Sequence, residues 1–127
     1  MEEPKTRTKR ILLASPDGTL LDRLSRVLQE VNYAVASTQR SGRLLFRALE
    51  DPFDLVIMDL DLEDLEGIEA LQILRRAKPD LPVIVITGDL RERESRQLLG
   101  EGVAGHLRKP IGIADLREAV RLASEIK

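Results

Sequence analysis

Asp54-Leu55-Val56-Ile57-Met58-Asp59, residues 54–59, is the stretch that decides the fold. Four consecutive apolar side chains between two carboxylates are too short for a helix and show no polar alternation, the pattern of a strand covered on both faces. Such a strand belongs at the centre of a parallel sheet, and parallel neighbours need crossover segments, usually helices. The flanking sequence supplies them. Upstream, Ile11-Leu12-Leu13-Ala14 is a second apolar run, closed by the turn cluster Ser15-Pro16-Asp17-Gly18. Leu20, Leu21, Leu24, Val27, Leu28 and Val31 then recur at helical spacing, with Asp22, Arg23, Arg26, Gln29 and Glu30 on the other face. A small strand is expected over residues 33–36. Ser41 is expected to cap a second helix carrying Leu44, Leu45, Ala48 and Leu49, which Pro52 stops.

Downstream, Ile68, Leu71, Leu74 and Ala77 predict a third helix that ends before Pro79. Val83-Ile84-Val85-Ile86 is a β-branched strand. Half of residues 90–99 are charged (Arg91, Glu92, Arg93, Glu94 and Arg96), so the helix expected there has little apolar surface to bury and should be the least stable. A weak strand near His106-Leu107 follows. Ile113, Leu116, Val120, Ala123 and Ile126 then mark a last amphipathic helix starting at Gly112, a poorer cap than Ser or Asp. Five strands alternating with five helices give an α/β fold, a doubly wound parallel sheet with right-handed crossovers.

The 127 residues, 43% hydrophobic, suffice for one core without staples and leave no room for a second full-sized domain. The absence of Cys removes disulfide and thiolate chemistry and makes a reducing cytoplasm the default setting. A net charge of -2 with both signs interspersed gives no basic footprint for nucleic acid. No apolar run approaches the roughly 20 residues needed to span a bilayer. Residues 1–8 read as a disordered lead-in, with no apolar segment after the basic residues as a secretory signal requires, and residues 9–127 as the domain.

Doubly wound sheets bind and react at the carboxyl ends of their strands. Those ends carry Ser15-Pro16-Asp17, Asp59, Thr87-Gly88-Asp89 and Arg108-Lys109-Pro110. With Asp59, Gly67, Thr87, Lys109 and Pro110 in this order from Lys9 onward, the chain resembles the receiver domain of two-component response regulators. The resemblance implies a flavodoxin-like strand order 2-1-3-4-5. It implies that Asp59 accepts a phosphoryl group from a sensor histidine kinase or phosphotransfer protein, and that Thr87 and Lys109 sense it. It further implies a cis peptide before Pro110 that aims Lys109 into the site, a switch position at His106, and a phosphoprotein that signals rather than catalyses. The small Gly88 beside Thr87 leaves access for the phosphoryl group.

The family's Mg²⁺ is held by two adjacent acids after the first strand, by the acceptor, and by a backbone carbonyl that would be that of Asp61. Here Ser15 and Pro16 stand in place of the acids. A hydroxyl and a ring are poor exchanges for two carboxylates, so the resemblance implies a weakened or lost Mg²⁺ site at Asp59 and Asp61. Asp17, one residue past the expected pair, is the first candidate for a substitute ligand and Asp61 the second, although Asp17 is explained better as the cap of the first helix. A calcium loop over Asp59, Asp61, Glu63, Asp64 and Glu66 is rejected because it lacks the glycine at its sixth position. Glu63 also replaces a proline usual in the family. As the sole His, His106 reads either as a proton-sensitive switch or as a surface residue.

Two functions follow. A phosphorylation switch expects metal-dependent labelling of Asp59; a phosphorylation-independent pseudo-receiver, an interaction module, expects none. A flavin carrier of the same fold order is disfavoured, because residues 15–19 make a poor phosphate cradle and only Phe46, Phe53 and Tyr33 are available for stacking. A homodimer is expected through the residue 90–99 helix, the strand at His106 and the last helix, where Arg117, Glu118 and Arg121 offer pairing charges.

Overall fold

The computed structural model describes residues 8–62, 67–88 and 102–125. The expected lead-in apart from Thr8, the helix over 90–99, and Glu63, Asp64, Glu66 and Asp89 lie outside the described residues. Five strands, β1 (Arg10–Ala14), β2 (Ala34–Thr38), β3 (Leu55–Asp59), β4 (Val83–Thr87) and β5 (Gly105–Arg108), form one parallel sheet in the order β2-β1-β3-β4-β5. Four helices are described: α1 (Gly18–Glu30), α2 (Ser41–Glu50), α3 (Gly67–Ala77) and α4 (Ile113–Ser124).

β3 is buried along its whole length because its two faces feed two cores. Leu55 and Ile57 join Ile11, Leu13, Ile84 and Ile86 under α1 and α4. Val56 and Met58 join Leu12, Ala14, Val83 and Val85 under α2 and α3. The period-2 alternation of strand side chains sends successive residues to opposite layers. Both faces of the sheet are thereby covered, which is why apolar runs rather than alternating patterns mark β1, β3 and β4.

The bounding acids of the opening hexapeptide have separate roles. Asp54 Oδ2 accepts the Arg10 backbone N–H at 2.8 Å and sets the start of β1 beside β3, whereas Asp59 ends β3 inside the protein. Asp17 caps α1, its Oδ1 accepting from the amides of Thr19 and Leu20 at 3.0 and 3.1 Å. After α1 the chain turns through Asn32 at φ 71°, a left-handed conformation that Asn tolerates.

Two boundaries differ from the sequence expectation. β2 runs from Ala34 to Thr38 rather than over residues 33–36, because Tyr33 N–H still bonds back to the Leu28 carbonyl and the ladder starts with Ala34 N–H on Lys9. Ser37 and Thr38 carry no apolar signal, since an edge strand has a partner on one side only. Ser41 does not cap α2. The capping position is Arg40, whose carbonyl takes the first helical hydrogen bond from Leu44, and Ser41 is buried in the first turn.

Gly67 is required by packing. A Cβ there would lie 2.5 Å from the Leu60 backbone, so the start of α3 rests directly on the chain leaving β3. This close approach fixes the segment that follows Asp59.

Candidate functional site

The registers β1 with β3 (Ala14 to Met58) and β3 with β4 (Asp59 to Ile86) bring the strand ends level. Ser15, Asp59 and Thr87 are all buried, and they are three of the four buried polar residues among those described. Asp59 Oδ2 accepts from the Ser15 hydroxyl at 2.8 Å and is paired with Lys109 Nζ at 2.8 Å. Asp59 Oδ1 accepts from the Asp61 N–H at 2.9 Å. Three donors from three segments hold one carboxylate.

Lys109 follows β5 and reaches back across β4, its own N–H bonding the Thr87 carbonyl at 2.8 Å. The Lys109-Pro110 peptide bond is cis. Nζ also pairs with Asp61 Oδ2 at 3.0 Å, so the ammonium lies between two carboxylates. Burial pulls its pKa down, but the hydrogen bonds and charges of Asp59 and Asp61 outweigh this and leave it above the ordinary lysine value.

Thr87 Oγ1 is 2.5 Å from His106 Nε2, a hydrogen bond across the β4–β5 pair. Val85 pairs with His106 and Thr87 with Arg108, so the two side chains are diagonal neighbours on one face. Burial of the ring, and secondly the Arg108 charge, hold the imidazole below its ordinary pKa and favour the neutral form.

The residues do not fit Mg²⁺. The Ser15 hydroxyl turns its hydrogen toward Asp59, and its oxygen accepts from Asp17 N–H at 3.1 Å. Asp17 Oδ1 is committed to capping α1, and the Asp61 carboxylate faces Lys109. The Asp61 contact to Asp59 is made by its amide, a hydrogen donor. No buried side-chain oxygen lacks a hydrogen-bond partner, and no group of three metal-ligating side chains occurs among the described residues. Mg²⁺ needs near-octahedral oxygen ligation and gives up its water reluctantly.

The structure thus brings together Asp59, Lys109 and Asp61, and separately Thr87 and His106, while Asp17 stands at the helix cap. Sequence reasoning missed two features. It treated Ser15 as an absent ligand, although its place level with Asp59 follows from pairing β1 with β3. It weighed Asp61 only as a metal ligand, although a carboxylate two residues past Asp59 is within reach of the same lysine. The charges expected at a dimer face are partly satisfied within the chain, since Arg121 pairs with Glu118 at 2.7 Å and Glu125 at 3.0 Å.

Residues 11–121 match the family model described as the response regulator receiver domain. The chain is 31% identical over 110 residues to the two-component response regulator ARR10 of Arabidopsis thaliana, covering 85% of this chain and 20% of that protein. It is 29% identical over 90 residues to the signal transduction histidine-protein kinase BarA of Escherichia coli, covering 69% of this chain and 10% of BarA. It thus spans a small part of each. A CheY-like receiver domain protein from Methanospirillum hungatei superposes with a TM-score of 0.87 at 29% identity, covering 91% of this chain and 92% of that one. No described helix is long and apolar enough to cross a membrane.

Proposed function

The chain belongs to the response regulator receiver domain family, and from that premise we propose that it is a phosphorylation switch of a two-component system, with Asp59 as phosphoryl acceptor. The observation that carries the reading is the fully buried Asp59 carboxylate at the end of β3, paired with Lys109 at 2.8 Å. A carboxylate is a weak nucleophile, and phosphoryl transfer depends on alignment and charge neutralisation more than on a base. Ser15, Asp61 N–H and Lys109 supply the alignment, and Lys109 the positive charge.

The donor is a phosphohistidine of a sensor histidine kinase or phosphotransfer protein, a class that the likeness to BarA supports. An Asp59 oxygen attacks phosphorus opposite the imidazole nitrogen. The P–O bond forms as the P–N bond breaks, the electron pair leaves with the imidazole, and Asp59 becomes an acyl phosphate. Lys109 then pairs with a phosphoryl oxygen. For Thr87 to donate to the phosphoryl group its hydroxyl must release His106, which couples the event to β5 and α4. That face changes its affinity for a partner and is where a homodimer would form. In this reading the chain is a cytoplasmic signalling module rather than an enzyme, with no direct contact to nucleic acid or membrane.

A second reading, a phosphorylation-independent interaction module, is favoured by one observation: Asp59 Oδ2 already carries both Ser15 and Lys109 hydrogens. Intact-mass analysis after incubation with a small-molecule phosphodonor separates the two. The native chain is expected to gain one phosphoryl group and Asp59→Asn none. An unlabelled native chain, under conditions that label a standard receiver, would overturn the switch and leave the interaction module, whose partner binding Asp59→Asn should not change.

A further inference from the structure

We propose that the Asp59 site works without a divalent cation, with the Ser15 hydroxyl and the Lys109 ammonium together supplying the donors that neutralise and orient the carboxylate. The functional consequence rests on Asp59 being the acceptor; the geometry does not.

Ser15 is 1% exposed and lies one residue past the Ala14–Met58 pair, level with Asp59. Its hydroxyl donates to Asp59 Oδ2 at 2.8 Å while its oxygen accepts from Asp17 N–H at 3.1 Å, so both directions of the group are engaged. Lys109 Nζ adds a full charge to the same oxygen at 2.8 Å. A cation approaching Oδ2 meets two hydrogen donors, one of them positively charged. To bind, it must expel the ammonium and turn a buried hydroxyl away from its acceptor. The nearest other carboxylates do not compensate, because Asp17 closes the first turn of α1 and Asp61 shares Lys109. The hydroxyl of Ser15 and the ring of Pro16, where two acids would stand, also lower the negative charge that attracts Mg²⁺. Ser15 is therefore a positioning residue that fixes the Asp59 carboxylate through one oxygen, leaving the single mobile charge of Lys109 to meet an incoming phosphoryl group.

The test is a Mg²⁺ titration of the full chain followed by amide NMR at Asp17, Asp59 and Asp61, together with phosphodonor labelling with and without a chelator. The native chain is expected to give no saturable shift at millimolar Mg²⁺ and labelling that the chelator leaves unchanged. Ser15→Asp is expected to gain a saturable shift and chelator-sensitive labelling. A saturable Mg²⁺ shift at these amides in the native chain, lost in Asp59→Asn, would overturn the proposal, as would labelling of the native chain that the chelator abolishes. If Ser15→Asp does not fold, Mn²⁺ broadening of the native chain decides alone: selective broadening at Asp59 and Asp61 overturns the proposal, and its absence supports it. A native chain that takes no phosphoryl group under either condition fails the acceptor reading, while the titration still decides the cation.

Discussion

Lys109 carries the only positive charge in direct contact with Asp59 among the described residues, and its titration sets the alkaline limit of the site. Its folded pKa is raised above the unfolded 10.5. The stabilisation is therefore fully present below 10.5 and is lost as pH rises through the folded value. Lys109→Met should cost about 1–3 kcal/mol at neutral pH, the range for a charge-assisted hydrogen bond to a buried group, tempered by solvent on the lysine side. Urea denaturation of both proteins measures this, and the gap should begin to narrow above pH 10.5 and close once pH has passed the raised folded value; a gap that persists beyond it would mean that packing of the lysine stem is what was lost. His106 runs in the opposite direction. Its folded pKa lies below 6.5, so its contribution is present above 6.5 and is lost as pH falls through the folded value. His106→Gln, which keeps a polar group for Thr87 and does not titrate, should flatten the stability profile below pH 6.5 without changing it at neutral pH. An unchanged acid slope would show that the imidazole is not the titrating group.

Two elements depend on single residues for their placement. Asp17→Ala removes the α1 cap and should cost about 1 kcal/mol, whereas Asp17→Asn keeps an accepting oxygen and should be nearly neutral. Equal losses in the two variants, read by thermal unfolding, would mean that the charge rather than the cap matters. How much of this was legible in the sequence depended on the environment of each element. β3 and β4 are covered on both faces, so their apolar runs named them directly. The edge strand β2 has one neighbour and a half-exposed surface, so its polar end at Ser37 and Thr38 carried no hydropathy signal. The order of Asp59, Thr87 and Lys109 at strand ends pointed to the site because doubly wound folds put their chemistry there. The Ser15 hydrogen bond and the Thr87–His106 contact were illegible for a physical reason. Both cross between neighbouring strands, and the side chains meet only through the register of the sheet, which hydropathy does not encode.

For the whole molecule, one sheet joins two cores, and this determines how it comes apart. The layer under α1 and α4 and the layer under α2 and α3 meet through the same backbone of β1, β3 and β4. Neither layer can open without exposing the reverse face of those strands. Lys9 Nζ donating to the Ser124 carbonyl at 2.8 Å adds a link from the start of the sheet to the end of α4. β3 is hydrogen-bonded to β1 on one side and β4 on the other, whereas β2 and β5 each have one partner strand and, apart from the buried Leu107, half-exposed or exposed side chains. Amide exchange should therefore be graded outward from the centre. Within Leu55–Asp59, the amides bonded into the sheet should exchange only by global unfolding, with an opening free energy equal to that from urea denaturation. Amides of β2 and β5 should open at lower free energies, by edge fraying that leaves the centre intact. Native-state exchange over a range of urea concentrations reads this directly. Central amides should show the full denaturant dependence and edge amides little until unfolding dominates. Equal protection in β2, β3 and β5 would mean that the sheet opens as a single unit, and Asp59 would then stay shielded until the entire fold is lost. Graded protection instead lets β5, with His106 and the adjoining Lys109, move while β3 holds the acceptor still, which is the mechanical arrangement a switch at Asp59 requires.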